Sequence, residues 1–395
     1  MTWNRGDGMA ALDDLKSFEL TRERGFLPAQ DPALELPRGF ALWDEFAREL
    51  PKRLLTGNIR RALGGLPVLP SETLPAGAPL RRAMLVLSYL GHGYVFGETE
   101  PADHVPAAIA VPWCAVAARL GRPPVLSYAS YALDNWRLLD RAGPLELGNL
   151  AIAQNFLGGA DEDWFILVHI EIEARAAHLL ARLGPASAAA ARGDASALLE
   201  HLTGIAACVE SLCETLQRMP ERCDPYIYYH RVRPYIHGWK NHPLLPHGVV
   251  YEGVAELGER PQSLRGETGA QSGIVPALDA ALGIGHADDP LRAYLLEMRA
   301  YMPPRHRAFV EAVEAAPSLR EAVLACGSRE LREAYNECLR WLEAFRSTHL
   351  DYAARYIHRQ SQSTASNPTT VGTGGTPFMP YLRKHRDETT QVRIT

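Results

Sequence analysis

Paired cysteines are the first feature this chain lacks. Its six cysteines, at 114, 208, 213, 223, 326 and 338, form no CxxC pair, no zinc spacing and no CxxCH. They read as reduced, mostly buried thiols of a cytoplasmic protein, not as a disulfide framework. Long apolar runs are missing too. The longest, Val105 to Leu120, is too short to cross a bilayer and holds Pro106 and Pro112. The first stretch, MTWNRGDGMAALDDLKSF, mixes acids and bases around no apolar signal core, so neither membrane nor export is expected. With a net charge of −5 and no long basic run, nucleic acid is not an expected partner. Hydrolytic signatures are absent: no GxSxG, no HExxH, no HxE with a partnering CxxC, no kinase set. No GxGxxG follows a strand, and GETGAQSG is not a phosphate loop because no GK[ST] follows. Hairpin signals and internal repeats are also absent.

What remains is helical. The chain of 395 residues, 47% hydrophobic and 22% charged, has room for one large or two ordinary soluble domains. Amphipathic or apolar helical patterns cover Phe40 to Leu63, Arg81 to Phe96, Leu126 to Leu139, Trp164 to Leu183, Ser187 to Met219, Leu291 to Tyr301, Arg305 to Ala315 and Leu331 to Ile357. The expected class is all-α. A smaller N-terminal helical part is expected over 1–120 and a large helical part over 121–395, divided near the cluster of Pro106, Pro112, Pro123 and Pro124. The Leu126 to Leu139 stretch reads as one ring-rich helix opened by Ser127. The segment 361–377, rich in Ser, Thr and Gly, reads as a mobile loop, a plain linker or a lid.

Two histidines sit where solvated histidines should not. Leu331, Tyr335, Cys338, Leu342, Phe345, His349, Tyr352 and Tyr356 form one helix face, apolar or aromatic everywhere except His349. Arg346 lies one turn before it. A neutral imidazole on such a stripe is either hydrogen-bonded into the core or bound to something. His169, four residues after Phe165 and three before Ile172, poses the same question. The segment DPYIYYHRVRPYIHGWKNHP interleaves rings with arginines, which either snorkel over a surface or clamp a carboxylate. A helical bundle holding haem by one axial histidine suits these features.

Several stretches resemble the indoleamine 2,3-dioxygenase family: IAVPWCAVAARLGRPPVLSYASYALDNW (109–136), YIHGWKNHPLLPHGVVYEG (235–253), YMPPRHRAF (301–309), LREAYNECL (331–339), FRSTHL (345–350) and GTGGT (372–376). They stand in family order, and the cast is that of a bacterial-type member. The resemblance implies a helical bundle around b-type haem, ferrous when active. It implies insertion of both atoms of O₂ across the indole C2–C3 bond of L-tryptophan, giving N-formylkynurenine. It implies L-tryptophan or a related indole, O₂ and an electron donor as partners, and a monomer or weak homo-oligomer.

Residue by residue, His349 is similar to the proximal haem ligand, Arg346 to the propionate arginine and Asp279 to its acidic neighbour; Trp239 of the HGWK motif joins this cofactor set. Arg233 matches the arginine for the substrate carboxylate, Tyr128 a pocket tyrosine, and Thr373 the loop that closes over the amino acid. Phe165, Tyr131, Tyr228, Tyr229, Thr268 and Gly269 complete the implied substrate pocket. Tyr131, Tyr228, Tyr229, Thr268 and Gly269 depart from the vertebrate pattern and change the pocket's polarity. His169 falls at the distal position, with Val168 there instead if the alignment slips by one. Two alternatives stay open: oxygenation, such as monooxygenation, of a modified tryptophan, and a haem-binding gas sensor without turnover.

Overall fold

The computed structural model describes residues 12–361 and 372–395. Its principal helices are α1 (Ala41–Leu54), α2 (Ala78–Phe96), α3 (Ala107–Leu120), α4 (Ala160–Arg192), α5 (Ala195–Gln217), α6 (Ile274–Leu282), α7 (Pro304–Ala315), α8 (Arg329–Ala353) and α9 (Phe378–Gln391). The fold is all-α. Strand among the described residues is confined to two short pairings, β1 (His104–Val105) parallel to β4 (Val250–Tyr251) and β2 (Trp136–Leu138) antiparallel to β3 (Leu150–Ile152). No described helix is long and apolar enough to cross a membrane.

Local chemistry sets the helix limits. The Ser328 hydroxyl accepts from the Leu331 amide at 3.3 Å and caps α8. Asp194 accepts from the Ala197 amide at 3.1 Å and starts α5 directly after α4. The result is a helical hairpin of α4 and α5, with α8 packed on α5 and α9 on α8. α2 is apolar nearly all round, and is accordingly buried on nearly every side. One hydrophobic cluster runs from Leu12 to Ile394.

The Leu126 to Leu139 stretch is not one helix. It makes a single wide turn, Ala129–Leu133, and then becomes β2. Asn135 explains the change: its amide donates to the Tyr89 hydroxyl and to the Gln154 carbonyl, both at 2.9 Å, and its side-chain oxygen accepts from the Gln154 amide. Those bonds draw the backbone toward β3. Ser127 does not cap, since its buried hydroxyl has no partner. Two further wide turns, Tyr228–Val232 and Ala354–His358, interrupt helical segments. Such i→i+5 turns concentrate at functional sites. All three border the same cavity, through Tyr128, Tyr228 and Tyr356.

Candidate functional site

α4, α5, α6, α8 and α9 line a cavity of about 650 Å³, a size that suits a cofactor and a small substrate together. His349 projects into it from α8. The side chain is exposed to the cavity. Protein nevertheless surrounds it, and burial, then His169, holds its pKa down to about 4. The imidazole is accessible yet flanked by protein because it faces the cavity. It is neutral at pH 7, and neither ring nitrogen has a hydrogen-bond partner among the described residues. A satisfied core histidine would have one.

His169 faces the same void from α4. Its Nδ1 lies 2.7 Å from the Phe165 carbonyl. That oxygen can only accept, so Nδ1 carries the proton and the Nε2 lone pair is left for the cavity. Val168, fully buried, is not on the wall. Around His169 stand Tyr128, its ring 6.0 Å away, and Phe165, 4.7 Å away and stacked at a tilt on Tyr228.

At the α8 end, Arg346 holds both Asp279 carboxylate oxygens, at 2.6 and 2.7 Å, and also bonds the His385 carbonyl and the Thr389 hydroxyl. Its buried Nε has no partner. Burial pushes Asp279 upward, but Arg346 and His286 outweigh it and leave the carboxyl below its ordinary range. His286 bridges Asp279 at 3.2 Å and Glu388 at 2.6 Å; the two carboxylates overcome burial and raise its pKa. Asp279, His286 and His385 converge closely enough to hold a metal ion, but these hydrogen bonds already account for the cluster.

The GTGGT segment closes another side. The Thr373 hydroxyl donates to the Glu267 carbonyl at 2.6 Å, and its own carbonyl accepts from the Gly238 amide. Arg265 donates to the Gly374 carbonyl at 2.5 Å and pairs with Glu297 at 2.7 Å. Beneath this segment, Gly238 and Gly266 lie backbone to backbone: a Cβ on Gly238 would stand 2.0 Å from the Gly266 nitrogen. Thr268 and Gly269 are on the wall, and a Cβ on Gly269 would meet nothing within 4 Å. The loop expected over 361–377 is described only at 361 and 372–377; 362–371 lie outside the described residues.

Of the residues singled out in the sequence, the cavity therefore gathers Tyr128, Phe165, His169, Tyr228, Thr268, Gly269, Asp279, Arg346, His349 and Thr373. Four others stand behind the wall. Tyr131 packs on Tyr89 and Phe165. Tyr229 covers the fully buried Arg233, whose guanidinium carbon is 5.5 Å from the ring centre, and Arg233 acts electrostatically on Tyr228 at the wall. Trp239 lies in the core against His92 and Phe96, its indole N–H donating to the Tyr251 hydroxyl at 3.2 Å. Glu267 is on the wall and escaped the sequence reading, because nothing in GETG distinguishes a buried glutamate from a loop one.

These residues fit a haem. A neutral, unpartnered imidazole supplies an axial ligand, the unsatisfied Arg346 Nε suits a propionate, and the lining is mainly apolar and aromatic. Comparison with known proteins agrees. Residues 14–392 match the family described as Indoleamine 2,3-dioxygenase. The chain is similar to Indoleamine 2,3-dioxygenase 1 of Rattus norvegicus, at 36% identity over 96% of each chain. It is 35% identical to Indoleamine 2,3-dioxygenase 2 of Homo sapiens, over 95% of this chain and 94% of that one. Indoleamine 2,3-dioxygenase acdA of Aspergillus candidus is 34% identical, over 94% and 96%.

Proposed function

The chain belongs to the indoleamine 2,3-dioxygenase family, oxidoreductases of the dioxygenase type, and on that premise we propose that it opens the indole ring of L-tryptophan. Both atoms of O₂ are inserted across the C2–C3 bond to give N-formylkynurenine, with haem b kept ferrous by an external electron donor. The observation that carries this reading is the His349 imidazole, without a hydrogen-bond partner among the described residues, facing the cavity. When bound, haem supplies the activation of O₂, which side chains cannot.

The protein's own part is binding, orientation and exclusion of water. His349 would hold the haem iron, and Arg346, its guanidinium kept in place by Asp279, would hold a propionate. On the His169 side, Phe165, Tyr128 and Tyr228 offer faces against which an indole stacks. The free Nε2 of His169 accepts the indole N–H and so fixes which edge of the ring is presented. Arg233 takes the substrate carboxylate once the Tyr228 ring, which stands in front of it, turns aside; a charge-assisted bond of this kind contributes about 1.5–3 kcal/mol. Thr373 and its glycines close over the amino acid and keep water out.

The test is anaerobic reduction of haem-reconstituted protein, then L-tryptophan and air, followed by mass spectrometry. A product two oxygen atoms heavier, with the N-formylkynurenine absorption, is expected. A gain of one oxygen atom would replace this reading with monooxygenation. A normal Soret band without any product would favour the gas sensor.

A further inference from the structure

Glu267 is 3% exposed, and its residue lines the cavity. Its backbone is held from two directions, by its own amide donating to the Ile236 carbonyl at 3.1 Å and by the Thr373 hydroxyl on its carbonyl. The glutamate is thus fixed in the wall, and its carboxyl makes no hydrogen bond or ion pair among the described residues. Neighbouring cations are engaged elsewhere: Arg265 and Lys240 both pair with Glu297, and Arg346 pairs with Asp279. A buried carboxyl without a partner is costly, and such groups call for an explanation in function.

The chemistry of the missing partner follows from the setting. Ile236 is three residues after Arg233, so the loop bearing Glu267 is hydrogen-bonded to the element bearing the carboxylate clamp. Tyr228 lies within electrostatic reach of both the Arg233 cation and the Glu267 carboxyl. A free amino acid held by its carboxylate on the Tyr228 side brings an ammonium group into the same cavity, and the carboxyl of Glu267 on that cavity's wall complements it. We propose that Glu267 recognises the α-ammonium group of the substrate, so that Arg233 and Glu267 together select a free amino acid over other indoles. The proposal rests on the tryptophan reading above. Burial holds the carboxyl up to about 8, so it is mostly protonated at pH 7 and gives up that proton when an ammonium arrives. The other groups facing it, the phenols of Tyr89, Tyr128, Tyr131, Tyr228 and Tyr294, are all pushed upward and stay un-ionised. His169 is already neutral and Arg233 stays charged, so neither supplies the proton.

The experiment compares L-tryptophan with indole-3-propionate, which keeps the ring and carboxylate but lacks the amine, binding to the haem-loaded protein by calorimetry. Glu267→Gln is expected to weaken tryptophan binding at least about tenfold and to change indole-3-propionate less than about twofold. In the wild type, which needs no variant to fold, tryptophan should release close to one proton at pH 7 and indole-3-propionate none. Equal effects of Glu267→Gln on the two compounds, or equal proton release, would overturn the Glu267 assignment alone. Wild-type protein that binds neither compound would overturn the tryptophan reading and this proposal with it.

Discussion

Replacing Glu267 by Gln should leave stability unchanged near pH 4.5 and make the protein progressively more stable than wild type as the pH rises to 8. The carboxyl is held up to about 8 by burial, against 4.5 for an ordinary glutamate. Between those values the unfolded chain has lost the proton and the native state has kept it. Native stability therefore falls with rising pH, by about 1.4 kcal/mol per pH unit. Across the whole interval that amounts to about 5 kcal/mol, which glutamine, similar in shape and without a charge, does not suffer. With about 2.1 cal/mol/K of unfolding entropy per residue and 395 residues, the melting temperatures should diverge by about 6 °C. The assay is calorimetric melting of both haem-loaded proteins at pH 5, 6, 7 and 8 without substrate. Taking the difference between proteins at each pH cancels the contributions of Glu162 and Glu173, also raised by burial, and of the buried histidines. Melting curves that stay parallel across this range would refute the reasoning, because they would mean that the carboxyl already has a partner.

Four other perturbations probe the rest of the site. His349→Ala should abolish the Soret band while circular dichroism stays helical; retained haem would remove it as the ligand. Arg233→Ala should raise KM for tryptophan about 10- to 100-fold with the haem spectrum intact, and an unchanged KM would sink the clamp. His169→Ala should slow turnover without loss of haem, whereas loss of haem would make it a structural or axial residue. Gly238→Ala should destabilise the fold by more than about 2 kcal/mol, because its Cβ would press on the Gly266 backbone, which cannot swing aside as a side chain can; a melting temperature equal to wild type would show that the two segments separate at little cost.

Much of this architecture was legible along the chain. The stripe from Leu331 to Tyr356 marks α8 because apolar spacing of three and four residues is imposed by the helix itself, and His349 faces the cavity together with its stripe neighbours Leu342, Phe345, Tyr352 and Tyr356. The pairing of Arg346 with Asp279 was accessible only through family resemblance, since no local pattern joins residues 67 positions apart. Leu126 to Leu139 misled for a related reason. Its helical periodicity is real, but Asn135 finds Tyr89 and Gln154, both distant in sequence, and their bonds override the local preference.

The sequence by itself determined the helical class, the main helices and the two histidines that had to be explained, because those depend on side-chain spacing within one element. Tertiary structure decided which face of each histidine is free, that His169 and not Val168 reaches the cavity, and that Arg233 stands behind Tyr228. It also decided the environment of Glu267. A carboxyl's burial and its lack of a partner are properties of everything around it, and here that surrounding is brought together by Ile236, Thr373 and the close contact of Gly238 with Gly266.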